Sequence, residues 1–194
     1  HVFHNFKSTY LSAWRGIQHR IQDRNWPEQE FNAAVGGLRE QASFPILQGS
    51  TDIYSYNQAY LIASGNTWSP RPVFQSYSAY TPALAEINRK HLLGRQSPDN
   101  IIFSVEPIDG RIPSSEDGAS WPILMRNYRP TRLENNFLFL QKNGNLTEIA
   151  EYVKLKSEMS VLGEKVLLPL LDQPVFAQIE IEPTLLGRLV NIVF

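Results

Sequence analysis

The strongest constraint on this chain is a hydrophobic pattern that switches between strand and helix periods repeatedly between residues 44 and 140. Phe44–Tyr56 reads as a short strand ending at polar residues, and Asn57–Ser64 as a helix closed by Gly65. Val73–Tyr77 supplies the next strand. Thr81 is a natural N-cap with Pro82 at the first helical position, Leu84, Ile87, His91 and Leu92 form the helical face, and Gly94 ends it. Asn100–Val105 is a near-continuous apolar run, the pattern of a strand buried on both faces. Glu106–Ser120 is a polar loop, Trp121–Tyr128 a short helix with Ser120 as its cap, and Phe137–Leu140 another strand ended by Asn143-Gly144-Asn145. Such alternation predicts βαβ units, and hence an α/β fold with a small, mostly parallel sheet flanked by helices over residues 44–145.

The flanks follow other rules. Residues 1–43 place Phe3, Phe6, Tyr10, Trp14, Ile17 and Ile21 at steps of three and four, with Lys7, Arg15, Arg20 and Arg24 on the other face. That is an amphipathic helix. Asn25-Trp26-Pro27-Glu28 starts a second one, carrying Phe31, Val35 and Leu38 and weakened by Gly36-Gly37. A basic amphipathic helix either packs on its own core or lies on a membrane; core packing is the expectation for this lead-in. Beyond Asn145, Glu148–Lys156, Lys165–Leu171, Val175–Glu182 and Leu189–Phe194 read as strands without intervening helices, so residues 146–194 are expected to form an incomplete antiparallel β segment.

A chain of 194 residues makes one domain, or one domain and part of another. At 42% hydrophobic and 11% aromatic it can bury a core. Eighteen basic residues against 19 acidic ones, with no like-charge block, leave no electrostatic footprint for nucleic acid, and no nucleic-acid partner is expected. The absence of cysteine excludes disulfides, thiolate chemistry and cysteine-ligated zinc. Apolar runs such as Val166–Leu171 are too short to span a bilayer, and no signal-peptide pattern is present. A start at His1 and an end at Phe194, within an apparent strand, suggest a piece of a longer protein.

Ligands of parallel α/β sheets gather beyond the carboxyl ends of the strands. The first such end carries Thr51, Asp52, Tyr54 and Tyr56; the second Gln75, Tyr77 and Tyr80; the third Glu106, Asp109 and Arg111, with Glu116 and Asp117 further along. The unusual run Trp68–Pro82, with Arg71 between two prolines, supplies the middle set. Asp52, Tyr54, Arg71, Gln75, Tyr77, Tyr80, Glu106, Asp109 and Arg111 are therefore the ligand-binding candidates. Their amides, phenols and carboxylates suit a polyol such as a sugar, and an arginine can fix a phosphate or carboxylate. The competing reading is structural: Arg71 pairs with Asp52 or Asp109, and Tyr77 and Tyr80 belong to the core.

Other signals are sparse. Paired carboxylates in the 106–120 loop could serve acid–base chemistry or a divalent cation, but loop acids are ordinarily solvated. His1, His4, His19 and His91 show no zinc spacing, and no metal or other cofactor is expected. There is no G-x-S-x-G, P-loop or G-x-G-x-x-G motif, and a nucleophilic triad has no obvious base. Asn145-Leu146-Thr147 matches the N-glycosylation sequon, which matters only in a eukaryotic secretory protein.

Gly49–Tyr54, Trp68–Pro82, Pro98–Phe103 and Asp109-Gly110-Arg111, with Val175–Glu182 and Leu186–Leu189, resemble a soluble region of large, poorly characterised bacterial membrane proteins. Some of these look like multi-spanning glycosyltransferases that use lipid-linked sugars. The resemblance covers roughly residues 44–194 and implies an extracytoplasmic domain tethered through a membrane portion of its parent protein; it supplies no catalytic residues. Three functions are then in play. One is a non-catalytic domain that binds a carbohydrate or glycolipid headgroup or docks its own membrane portion. Another is a glycosyl-transfer or glycoside-hydrolysing enzyme using Asp52, Glu106 or Asp109. The last is a purely structural interaction module, with Arg71, Tyr77 and Tyr80 buried and mutually satisfied.

Overall fold

A computed structural model describes residues 2–54, 56–144, 153–185, 187, 188 and 192. They fall into two units, divided between residues 152 and 153. The first is an α/β domain around a mixed five-stranded sheet. Its strands are β1 (Ser50–Tyr54), β2 (Thr67–Trp68), β3 (Asn100–Phe103), β4 (Tyr128–Glu134) and β5 (Phe137–Lys142), in the order β2-β1-β3-β5-β4. β2, β1 and β3 run parallel, and β3, β5 and β4 antiparallel. Five helices accompany them: α1 (Val2–Gln22), α2 (Trp26–Ala42), α3 (Gln58–Ser64), α4 (Pro82–Leu93) and α5 (Trp121–Asn127).

The period-2 alternation of the strands sorts the core into two layers. Ile53, Ile102, Phe137 and Phe139 face Ala42, Phe44 and Leu61, at the end of α2 and on α3. Tyr54, Ile101 and Leu140 face Leu92 of α4, Ile123 and Leu124 of α5, and Tyr128. Register follows: Asp52 lies opposite Ile101, and Ile101 opposite Leu140.

Helix punctuation follows expectation at two ends, whereas the expected caps Asn25 and Ser120 make no side-chain cap bond at the starts of α2 and α5, the Ser120 hydroxyl donating to Asp117 Oδ2 instead. Thr81 Oγ1 accepts the Leu84 N–H at 3.3 Å with Pro82 in the first turn. Gly65 closes α3 at φ 82°, a left-handed conformation that favours glycine.

Three expectations are corrected. Val73–Tyr77 is not a strand; β2 stops at Trp68, and the chain continues irregularly to a 3-10 turn at Ser76–Ser78. Arg71 and Ser76 in this stretch are buried by side-chain bonds rather than by a ladder, which removes the need for strand pairing. The helical lead-in does not pack its first stripe on the core: Phe6, Tyr10, Trp14, Ile17 and Ile21 are 51–79% exposed. Only the end of α2 docks, through buried Ala42 and an Arg39 Nε hydrogen bond to Ala63 O at 2.7 Å.

In the second unit, residues 153–184 contain no helix or strand. Leu167, Leu168, Ile179 and Ile181 there are exposed, so no packed face fixes the expected alternation into a sheet. The antiparallel segment that follows the parallel strands is β4–β5. Of the expected strands Glu148–Lys156 and Leu189–Phe194, residues 148–152, 189–191, 193 and 194 lie outside the described residues, as does the sequon at 145–147.

Candidate functional site

Strand alternation sends Asp52 and Tyr54 to the face covered by α4 and α5. Asp52 is wholly buried and would be costly there without partners. The segment between β2 and α4 supplies them. Arg71 Nη1 donates to Asp52 Oδ2 at 2.8 Å, the Arg71 backbone N–H to the same oxygen at 3.3 Å, and Trp68 Nε1 to Oδ1 at 3.3 Å. The guanidinium also donates to Ile53 O at 2.9 Å and Ser76 Oγ at 2.8 Å. Its carbon lies 3.4 Å from the centroid of the Tyr54 ring, within cation–π range. Arg71 is 1% exposed.

A second carboxylate completes the cluster. Asp117 Oδ2 accepts from Asn88 Nδ2 at 2.9 Å, Ser120 Oγ at 2.9 Å and the Tyr54 hydroxyl at 3.2 Å, and stands 3.8 Å from Arg71 Nε. Its Oδ1 is buried without a hydrogen bond. Burial raises the Asp117 pKa above the ordinary carboxyl value, against the opposing pull of Arg71 and the three donors. Burial likewise holds the Tyr54 phenol well above its ordinary value. Asn88 joins the cluster to the irregular segment, donating to Val73 O at 3.0 Å and accepting the Val73 N–H at 2.9 Å. This network ties the 69–81 segment, β1, α4 and the 116–120 turn to one another.

Outside it lies a more open rim. Tyr77 is partly exposed, its ring 6.4 Å from that of Tyr56 at 66°. Arg111 Nη1 donates to Tyr77 O at 3.3 Å, and Asn57 Nδ2 to Glu106 Oε2 at 3.1 Å. Desolvation, then the Glu106 carboxylate, raises the Tyr56 phenol pKa. Gln75 is half-buried, Tyr80 is 79% exposed, and Asp109 stands exposed on a turn with Gly110, both at positive φ. Among the described residues the side chains of Gln75, Tyr80 and Asp109 make no hydrogen bond or ion pair. The cavity behind the rim, touched by Tyr54, Glu106, Glu116 and Trp121, holds about 10 Å³, roughly one water, so the rim is a surface rather than a pocket.

The nine candidates thus divide. Asp52, Tyr54 and Arg71 meet in the buried cluster; Tyr77, Glu106 and Arg111 join the rim; Gln75, Tyr80 and Asp109 stand apart. Glu116 and Asp117, taken as solvated loop acids, are buried at 5% and 0%. Asp117 was missed as a partner of Arg71, and Asn88 and Ser120 as donors to Asp117. One cue existed: Asn88 sits four residues from both Leu84 and Leu92, a polar side chain within an apolar helical stripe.

The opposite sheet end carries a larger depression, about 420 Å³, lined by Ser50, Pro70, His91, Arg95, Asp99 and Lys142 among others. Asp99 Oδ2 accepts the Ser50 N–H at 2.9 Å and hydroxyl at 2.8 Å, and Lys142 Nζ lies 3.3 Å from Oδ1. The Ser50 N–H bond leads the lowering of the Asp99 pKa. His91 Nε2 is buried without a partner, and burial lowers its pKa.

Among the described residues no group of three or more His, Asp or Glu is placed to hold a metal. No helix there is long and apolar enough to cross a membrane. Comparison with family models, curated proteins and solved structures returned no match.

Proposed function

We propose that this chain is a non-catalytic recognition domain whose rim of Tyr56, Tyr77, Glu106 and Arg111 binds a carbohydrate or glycolipid headgroup. The observation that carries this reading is the pair of Tyr56 and Tyr77 rings, partly exposed with centroids 6.4 Å apart, Tyr77 on the segment that buried Arg71 anchors and Tyr56 just beyond β1. Preorganised aromatic faces pack against sugar rings at small entropic cost, and the adjacent carboxylate, amide and guanidinium can bond hydroxyls. Placement outside the cytoplasm, in a bacterial membrane protein, rests on the sequence resemblance alone.

The rival readings fit less well. A purely structural module calls for buried Tyr77 and Tyr80, yet one is partly exposed and the other 79% exposed. Acid–base catalysis calls for two carboxylates in one cleft. Asp52 is sealed under Arg71 and Trp68, Asp109 stands on an exposed turn, and Glu106 lines a cavity of about 10 Å³, room for roughly one water and not for a sugar.

Glycan-array screening followed by calorimetry tests the proposal. Binding that Tyr77→Ala and Glu106→Gln remove, with the fold intact, supports it. A folded chain that binds no glycan overturns it and leaves docking against a parent protein's membrane portion as the reading to pursue.

A further inference from the structure

Helix α1 exposes an apolar stripe that is left uncovered among the described residues. Phe6, Tyr10, Trp14, Ile17 and Ile21 are 62%, 63%, 58%, 51% and 79% exposed along a helix of 21 residues, about 31 Å long. Val2–Gln22 contains Lys7, Arg15 and Arg20 and no acidic residue. In a chain of net charge −1, that makes the remainder net acidic and concentrates positive charge on the element with the bare apolar stripe. At 3.6 residues per turn, Lys7 and Arg20 fall on the two borders of the stripe, and Arg15 and His19 on the far face.

We infer that α1 lies in the headgroup layer of an anionic lipid bilayer, stripe inward and bases outward. Aromatic residues at positions 6, 10 and 14 suit the boundary between acyl chains and headgroups, and flanking Lys7 and Arg20 can snorkel to phosphates. The helix is too polar to cross the bilayer, which leaves it on the surface. A second copy of the chain is the weaker occupant: two stripes bordered only by bases bring like charges together with no acid on either helix to pair them. The inference is independent of the glycan rim.

Co-sedimentation of the 194-residue chain with vesicles tests it. Vesicles of equimolar phosphatidylglycerol and phosphatidylcholine should bind at least about tenfold more tightly than phosphatidylcholine alone, since each base near an anionic surface adds affinity. The double variant Trp14→Glu/Ile17→Glu should stay in the supernatant with unchanged glycan binding. Lys7→Glu/Arg20→Glu, which keeps the stripe, should lose the preference for phosphatidylglycerol. Trp14→Phe should still sediment while losing the lipid-induced blue shift of tryptophan emission. Absence of sedimentation with either vesicle, sedimentation unaltered by the Trp14/Ile17 pair, or a dimer in solution that the same pair dissociates would each overturn the inference.

Discussion

Arg71 Nη1 and Asp52 Oδ2 meet at 2.8 Å with neither side chain exposed to solvent. The pair joins an irregular segment to the central parallel strand, doing there what a ladder of backbone hydrogen bonds does elsewhere in the sheet. Replacing Arg71 with Met leaves Asp52 buried without its main partner and should cost about 3–5 kcal/mol. Arg71→Lys keeps the charge but not the planar fork, and should fall between wild type and Arg71→Met. Midpoints of urea denaturation measure both.

Asp117 sets a dependence on pH. Its carboxyl pKa is raised in the folded chain, so between its ordinary value and the raised one the folded state holds more proton than the unfolded state. The stabilisation from this group is present below the ordinary carboxyl value and is lost as pH climbs through the raised one. Asp117→Asn keeps an oxygen for Tyr54, Asn88 and Ser120 and cannot ionise. Denaturant titrations across the acidic range should show a smaller loss of stability with rising pH in the variant than in wild type.

Asn88 satisfies both backbone groups of Val73 and one oxygen of Asp117. Asn88→Ala leaves the three groups without that partner and should destabilise by about 2–3 kcal/mol, whereas Tyr80→Ala, at an exposed site, should stay within about 0.5 kcal/mol. Thermal and chemical denaturation of the two variants side by side reads the contrast.

Gly49 adopts φ +88°, and a Cβ there would stand 2.5 Å from Asp99 Oδ2. Gly49→Ala should cost at least about 1–2 kcal/mol from the backbone conformation alone. In an Asp99→Ala background the penalty should shrink without vanishing, because the φ remains. A double-mutant cycle separates the two parts.

How much of this was legible in the residues varies by element. The helix starting at Thr81-Pro82 and the stop at Gly65 are local events, governed by a cap hydroxyl and a left-handed φ, and the sequence showed both. β4 escaped because Tyr128–Glu134 is an edge strand: it carries Pro130, is exposed after its first residue, and needs no apolar alternation. Its hairpin did have a marker, since Asn135 and Asn136 both take positive φ (49° and 65°), as a two-residue type I′ turn requires.

The Trp68–Pro82 run was recognisable from its composition, and the partnership of Arg71 with Asp52 was among the readings it allowed. The sequence by itself determined the α/β alternation, the cap at Thr81 and the stop at Gly65, because each depends on periodicity or on chemistry within a few residues. Only the tertiary structure decided that Arg71 is sealed rather than offered to a ligand. Asp52, Asp117 and Ser76 come to it from 19, 46 and 5 residues away, Asn88 holds Asp117 in turn, and the burial that binds them together is a property of the assembled layers. The same holds for α1: an amphipathic pattern specifies an apolar stripe, but whether a core exists to cover it depends on the rest of the fold.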